Sequence, residues 1–189
     1  PLDRSEVWIV HEDLIGRILL RDKIRSESRA VLAELARHQA TAVYVSITTL
    51  DTELAGKLEP RASRPAARLR AIRELTAAGI PTGVMVAPIL PGLTDHEMPA
   101  ILAAAAAAGA TRAGYIVLRL PHAVKDVFLQ WLDDHAPTKK NRIVDRIREL
   151  RGGQLNVSEW GTRLKGEGIF ADNQSFDAPP RAGNLPQFG

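Results

Sequence analysis

Cysteine is missing from all 189 residues. That excludes disulfides, and it excludes any thiolate-bound zinc or iron–sulfur site built from this chain alone. Five histidines remain, at 11, 38, 96, 122 and 135. None forms a His-x-x-x-His pair and no dense carboxylate cluster accompanies them, so no protein-built metal site is expected. Charge of one sign is also scarce. Lys and Arg number 25 against 22 Asp and Glu, a net +3, and the two signs interleave along most of the chain. So weak an excess does not by itself argue for a nucleic-acid partner. No apolar run reaches the length of a membrane span, the alanine-rich Ile101–Ala108 being far too short. No secretory signal is visible, and the expectation is a cytoplasmic protein. The opening Pro1-Leu2-Asp3-Arg4 is not an initiator methionine and reads as the interior of a longer polypeptide. A Gly-x-Gly-x-x-Gly after a strand is absent too, which weighs against a Rossmann nucleotide site.

What is present is an alternation of short apolar runs with helical patterns. Ala42-Val-Tyr-Val-Ser46 is β-branched and aromatic and of strand length. A short helical pattern follows over Thr52–Leu58, then a longer one from Arg64 to Ala78. Ser63 suits the N-cap of that helix, Pro65 its first turn and Gly79 its end. Thr82-Gly-Val-Met-Val-Ala87 predicts the next strand, closed by Pro88 and the turn-forming Pro91-Gly92. Thr94-x-x-Glu97 has the spacing of a capping box opening a helix to about Ala108, which Gly109 ends. Gly114-Tyr-Ile-Val-Leu118 predicts a third strand, followed by Pro121, an amphipathic helix through Trp131 and another from about Thr138 to Leu150. Upstream, Val7–Val10 reads as a strand and Ser28–His38 as a helix, with Ile18–Leu20 ambiguous. Strand-length apolar runs separated by helices indicate parallel strands in βα units. The fold class is therefore α/β, with parallel (βα) repeats forming part of a TIM-type barrel. Residues 1–151 hold these units, 152–170 form a Gly-rich basic extension, and 171–189, rich in Asn, Asp, Pro and Gly, is expected to be disordered.

In such architectures chemistry concentrates on loops after the C-terminal ends of strands. Three such ends stand out. They are Ser46-Ile-Thr48-Thr49-Leu-Asp51 with Glu59-Pro60-Arg61 beyond it, Ala87-Pro88-Ile-Leu-Pro91-Gly92-Leu-Thr94-Asp95, and Arg119-Leu-Pro121-His122.

The order VSITTLD, LEPRASRPAARLRAIRELTAAGIP, VMVAPILPGLTDHE and GYIVLRLP resembles the middle and later strands of a radical S-adenosylmethionine (radical SAM) partial barrel. A branch related to spore photoproduct lyase is the nearest likeness, and Trp160-Gly-Thr-Arg-Leu-Lys-Gly-Glu-Gly168 fits that branch as well. The resemblance covers roughly residues 40–170, while residues 1–28 fit poorly. It implies a (β/α)6 partial barrel that binds S-adenosylmethionine at the C-terminal ends of its strands. It also implies a [4Fe–4S] cluster that supplies the electron for reductive cleavage of that cofactor. By the same resemblance Ser46 or Thr49 would contact the methionine end or ribose. Arg61, or Arg68 in its place, would pair with the methionine carboxylate, which a planar guanidinium can grip through both oxygens. Val86, Ala87 and Pro88 would offer backbone groups to adenine. The family's cluster cysteines are not in this chain, so the resemblance implies a cluster-bearing N-terminal region of the same protein as partner. The substrate is not implied.

Plainer roles stand beside these. Ser46, Thr48, Thr49 or Asp51 could cap the helix at Thr52. Arg61 could be a solvated surface residue, and arginines 64, 68, 70 and 73 one solvated helix face. Pro88 and Pro91-Gly92 could be only a rigid turn. His122 could act as a general acid or base, and Lys125 as a Schiff-base lysine if desolvated, which would make the chain an unrelated barrel lyase. A degenerate, non-catalytic relative serving as a binding module is a further alternative. A nucleic-acid substrate would be held by the basic residues of 139–165 (Lys139, Lys140, Arg142, Arg146, Arg148, Arg151, Arg163, Lys165), diluted by Asp145, Glu149 and Glu159, with steep salt dependence.

Overall fold

The computed structural model describes residues 22–121, 123–155 and 176–177, with backbone alone for 22–28 and 176–177. The readings of Val7–Val10, Ile18–Leu20, His122 and Trp160–Gly168 lie outside the described residues. In chain order the elements are α1 (Asp22–Arg37), β1 (Val43–Ser46), α2 (Thr52–Leu58), α3 (Pro65–Ala77), β2 (Thr82–Ile89), a 3-10 turn (Asp95–Glu97), α4 (Met98–Ala107), β3 (Arg112–Val117), α5 (Val124–His135), a second 3-10 turn (Pro137–Lys139), α6 (Lys140–Glu149) and β4 (Phe176–Asp177).

The sheet runs β1-β2-β3-β4. The first three strands are parallel and lie side by side in sequence order, with Val45 opposite Val84 and Val84 opposite Ala113. β4, inside the stretch expected to be disordered, pairs antiparallel with the start of β3. Alternation along each strand sends Val43, Val45, Val84 and Val86 to one face, where they meet Ile72 and Leu75 of α3 and Ile101 and Ala105 of α4. Leu32, Ala33 and Ala36 of α1 join the same cluster. Helices α1, α3 and α4 thus share one side of the sheet. A doubly wound fold would distribute its helices over both. The opposite face is compact in a different way: Tyr44 lies against Gly83, and the thioether of Met85 against Gly114. Among the described residues the architecture is an open sheet of three parallel strands edged by the short antiparallel β4, with a helical layer on one face, a partial (βα) fold.

Three local expectations are corrected. Pro88 does not close β2; the strand continues to Ile89, with a register irregularity between Val86 and Ile89 that accommodates a residue without an N–H. Ser63 is not the cap of α3. Arg64 holds that position with no side-chain cap bond, and Pro65 in the first turn leaves one fewer N–H to satisfy. The Thr94/Glu97 capping box does not form. A 3-10 turn intervenes, the helix opens at Met98-Pro99, and the Thr94 hydroxyl accepts instead from the Leu90 N–H at 3.0 Å.

The helices after β3 pack away from the layer formed by α1, α3 and α4. Leu90 and Leu93 from the loop after β2, Leu120 from the loop after β3, Phe128 and Leu132 of α5, and Ile143, Val144 and Ile147 of α6 form a second buried cluster, joined by Leu54 and Leu58 of α2. The Trp131 indole donates to the Lys57 carbonyl at 3.0 Å, fastening α5 to α2. Arg142 donates to the Gly92 carbonyl and Arg146 to Asp95, fastening α6 to the loop after β2. The second cluster therefore gathers the loops at the C-terminal ends of β2 and β3 and seals them under α5 and α6.

Candidate functional site

Parallel strands deliver all their C-terminal ends to one rim, and that is where the polar loops fall. After β1, Ile47 continues the ladder by donating to the Met85 carbonyl at 2.8 Å. The chain then turns through three small polar residues, each fixed by a different bond. Thr48 donates to the Ala87 carbonyl at 3.0 Å, tying the end of β1 to the end of β2. Thr49 donates to Glu97 Oε1 at 2.6 Å, and the Leu50 N–H donates to Glu97 Oε2 at 2.8 Å. Asp51 caps α2, its Oδ1 accepting from the N–H groups of Glu53 and Leu54. The hydroxyl of Thr49 also accepts from the Asp51 N–H. Of the plainer roles, capping thus falls to Asp51 and in part to Thr49. Thr48 and Thr49 are fully buried, while Ser46 is half-buried.

Arg68 does not belong to a solvated face. It lies in the first turn of α3 and is only 7% exposed, whereas Arg64, Arg70 and Arg73 are exposed as expected. Its Nε donates to the Ser63 carbonyl at 2.9 Å, one terminal nitrogen to the Ser46 carbonyl at 2.9 Å, and the other to Glu59 at 3.1 Å. This planar fork anchors the α2–α3 loop to the end of β1. Arg61, inside that loop, is exposed and makes no ion pair among the described residues. Arg68 ties Glu59 and Ser63, which flank Arg61 in the loop, to the end of β1 at Ser46.

At the end of β2 the Val86 side chain is buried in the core, so only its backbone faces other groups, while Ala87 and Pro88 are half-buried. The rim therefore brings together Ser46, Thr49, Ala87 and Pro88, with Arg61 in the adjoining loop. Arg68 stands beneath them with its donors engaged by the protein. Glu97 escaped the sequence reading because its spacing from Thr94 mimics a capping box.

Beyond β3, the Leu118 N–H donates to the Ile89 carbonyl at 2.8 Å, and Arg151 donates to the Leu118 carbonyl at 2.6 Å. Arg151 is 7% exposed; burial, and then the neighbouring charge of Arg119, lower its pKa from the ordinary value. The position before Gly152-Gly153 gave no hint of that burial. Lys125, whose side chain is 45% exposed, lacks the desolvation that Schiff-base chemistry needs. The basic residues of α6 are largely engaged: Lys140 with Asp133, Arg146 with Asp95 and Arg148 with Asp145. Among the described residues no group of three His, Cys, Asp or Glu side chains could hold a metal ion, and no helix is long and apolar enough to cross a membrane.

Uncharacterized proteins of Mycobacterium tuberculosis and Mycobacterium bovis are each 36% identical to the chain over 145 residues, 75% of this chain and 42% of theirs. The chain thus spans about two fifths of the length of these relatives. An uncharacterized protein of Acidianus two-tailed virus is 49% identical over 49 residues, 26% of this chain and 16% of that protein. No solved structure matches. Residues 17–105, which run from before α1 through β1 and β2 and into α4, match the Radical SAM superfamily.

Proposed function

We propose that the chain forms the later βα units of a radical SAM protein, a (β/α)6 partial barrel whose rim beyond β1 and β2 receives S-adenosylmethionine. The observation that carries this reading is the superfamily match over residues 17–105, which takes in both rim loops. The geometry is compatible with it. Arg61 is an exposed cation without an acidic partner among the described residues, suited to the methionine carboxylate. Ser46 and the backbone at Val86–Pro88 stand at adjacent strand ends, joined by the Thr48 bond to Ala87. The buried Thr49 hydroxyl, engaged by Glu97 and Asp51, would shape this loop rather than touch the ligand. Arg68 serves as a positioning residue, holding the Arg61 loop against β1 rather than gripping the ligand.

A [4Fe–4S] cluster does not fit the residues present, because the chain contains no cysteine. Its part is confined to binding and orienting the sulfonium nucleoside, with the cluster carried by another stretch of polypeptide. Kinship with spore photoproduct lyase stands on the sequence resemblance alone.

The test is ligand-observed NMR of S-adenosylmethionine with the 189-residue chain. Saturation transfer to both adenine and methionine protons is expected, with weak affinity because the iron that would anchor the amino acid end is not supplied. R61Q should abolish the transfer to the methionine protons, whereas R70Q, on the exposed side of α3, should leave it intact. No transfer to the unsubstituted chain would overturn the proposed site.

A further inference from the structure

Two arginines lie close together beyond the end of β3, for Arg151 donates at 2.6 Å to the carbonyl of Leu118, the residue before Arg119. Arg119 leaves the strand in the loop that ends at Pro121, and Arg151 follows the last turn of α6. The Nε of Arg119 is buried and has no hydrogen-bond partner. Among the described residues neither arginine forms an ion pair with a carboxylate. Arg68 is situated differently: that buried guanidinium has Glu59 at 3.1 Å and two carbonyls besides. Arg151 has the Leu118 carbonyl, and the positive charge of Arg119 acts on it.

Withdrawing the Arg151 guanidinium from water costs free energy, and the nearby charge of Arg119 adds repulsion. An unpaired buried Nε–H is a further cost. One guest relieves all three. A group with two or more oxygens and a negative charge accepts from both planar forks and neutralises both cations.

We propose that Arg119 and Arg151 form an oxyanion site at the C-terminal rim of β3, taking a carboxylate or phosphate group. The bond from Leu118 to Ile89 fixes this loop beside the end of β2, so a bound anion lies one strand along from the Ala87–Pro88 rim. That the anion belongs to the substrate of the reaction rests on the radical SAM reading; its binding does not.

The probes are inorganic phosphate and acetate, titrated calorimetrically into the chain at low, constant ionic strength. Phosphate affinity should fall roughly tenfold or more in R119Q, as expected on losing a charge-assisted fork, and should be unchanged in R70Q. In parallel, the unsubstituted chain is treated with phenylglyoxal and its modified arginines are mapped by mass spectrometry. Phosphate should slow modification of Arg119 and leave that of Arg70 unaltered. Binding of phosphate alone assigns a phosphate ester, of acetate alone a carboxylate, and of both an oxyanion site open to either. Protection of Arg119 by neither anion overturns the proposal, as does wild-type phosphate affinity in R119Q. Should R119Q fail to fold, the protection experiment decides. Neither measurement contains S-adenosylmethionine, so failure here leaves the preceding reading standing, and failure there leaves this one.

Discussion

The hydroxyl of Thr49 donates to the carboxylate of Glu97 at 2.6 Å across 48 residues of sequence. The other carboxylate oxygen receives the Leu50 N–H, so a single side chain from the start of the α4 segment organises the loop beyond β1. Replacing Glu97 with Ala strands both donors in a part-buried position and should cost about 1–3 kcal/mol, read from urea denaturation. E97Q, which keeps an accepting oxygen, should cost less. Combining E97A with T49V should show a coupling above about 0.5 kcal/mol. Strict additivity would mean that the two side chains do not meet in solution.

Arg68 carries the second prediction. Its removal in R68M leaves Glu59 and the Ser46 and Ser63 carbonyls without their donor, and about 3 kcal/mol of stability should be lost. R68K should recover only a fraction, because one ammonium cannot reach acceptors arranged for a planar fork. Adding E59M to R68M should cost less than the sum of the single changes, since the stranded carboxylate is then gone. Guanidinium denaturation of the unsubstituted chain, R68M, R68K, E59M and the double variant provides the comparison.

Two glycines separate space from backbone. A methyl group at Gly83 would lie 2.6 Å from the Tyr44 ring and 3.0 Å from the Arg112 carbonyl. G83A should therefore destabilise by about 1–3 kcal/mol through overpacking, and Y44L should relieve part of that loss. Gly79 ends α3 at φ +75, and a methyl group there would find no atom within 4 Å. G79A should cost only about 1 kcal/mol, from the left-handed backbone alone. Thermal melts resolve the two, and equal shifts would contradict the proposed cause.

The two apolar clusters should loosen separately. I143A empties a fully buried position in the second cluster and should cost about 2–5 kcal/mol. Hydrogen exchange should then quicken first in α5 and α6, while β1 and β2 keep their protection. I72A, in the first cluster, should instead expose β1 and β2. Uniform acceleration in both variants would show one cooperative unit.

Much of this fold is legible before any coordinates. β1, β2 and β3 follow from β-branched runs, and α2 runs over the expected Thr52–Leu58, because short-range pattern and long-range packing agree there. Legibility fails where a local signal has a distant competitor. Thr94 and Glu97 have the spacing of a cap, yet the carboxylate does better on two donors from the loop beyond β1 than on one N–H of its own turn. Arg68 sits among exposed arginines and differs from them only in what lies three-dimensionally beneath it. Helix α5 has the amphipathic stripe of a sheet-packing helix, but a stripe does not say which apolar surface it will meet. Of the rim residues, Ser46, Thr49, Arg61, Ala87 and Pro88 can be picked out from strand ends and family likeness, whereas Arg119 and Arg151 come together only through folding.

Leu90, Leu93 and Leu120 are sunk beneath α5 and α6, and the loops that carry them are tied to the ends of β2 and β3. These segments cannot swing aside without opening a core. Under the proposed reading, the described part of the rim would meet a ligand already set, and these two loops would discriminate by outline and charge rather than by closing.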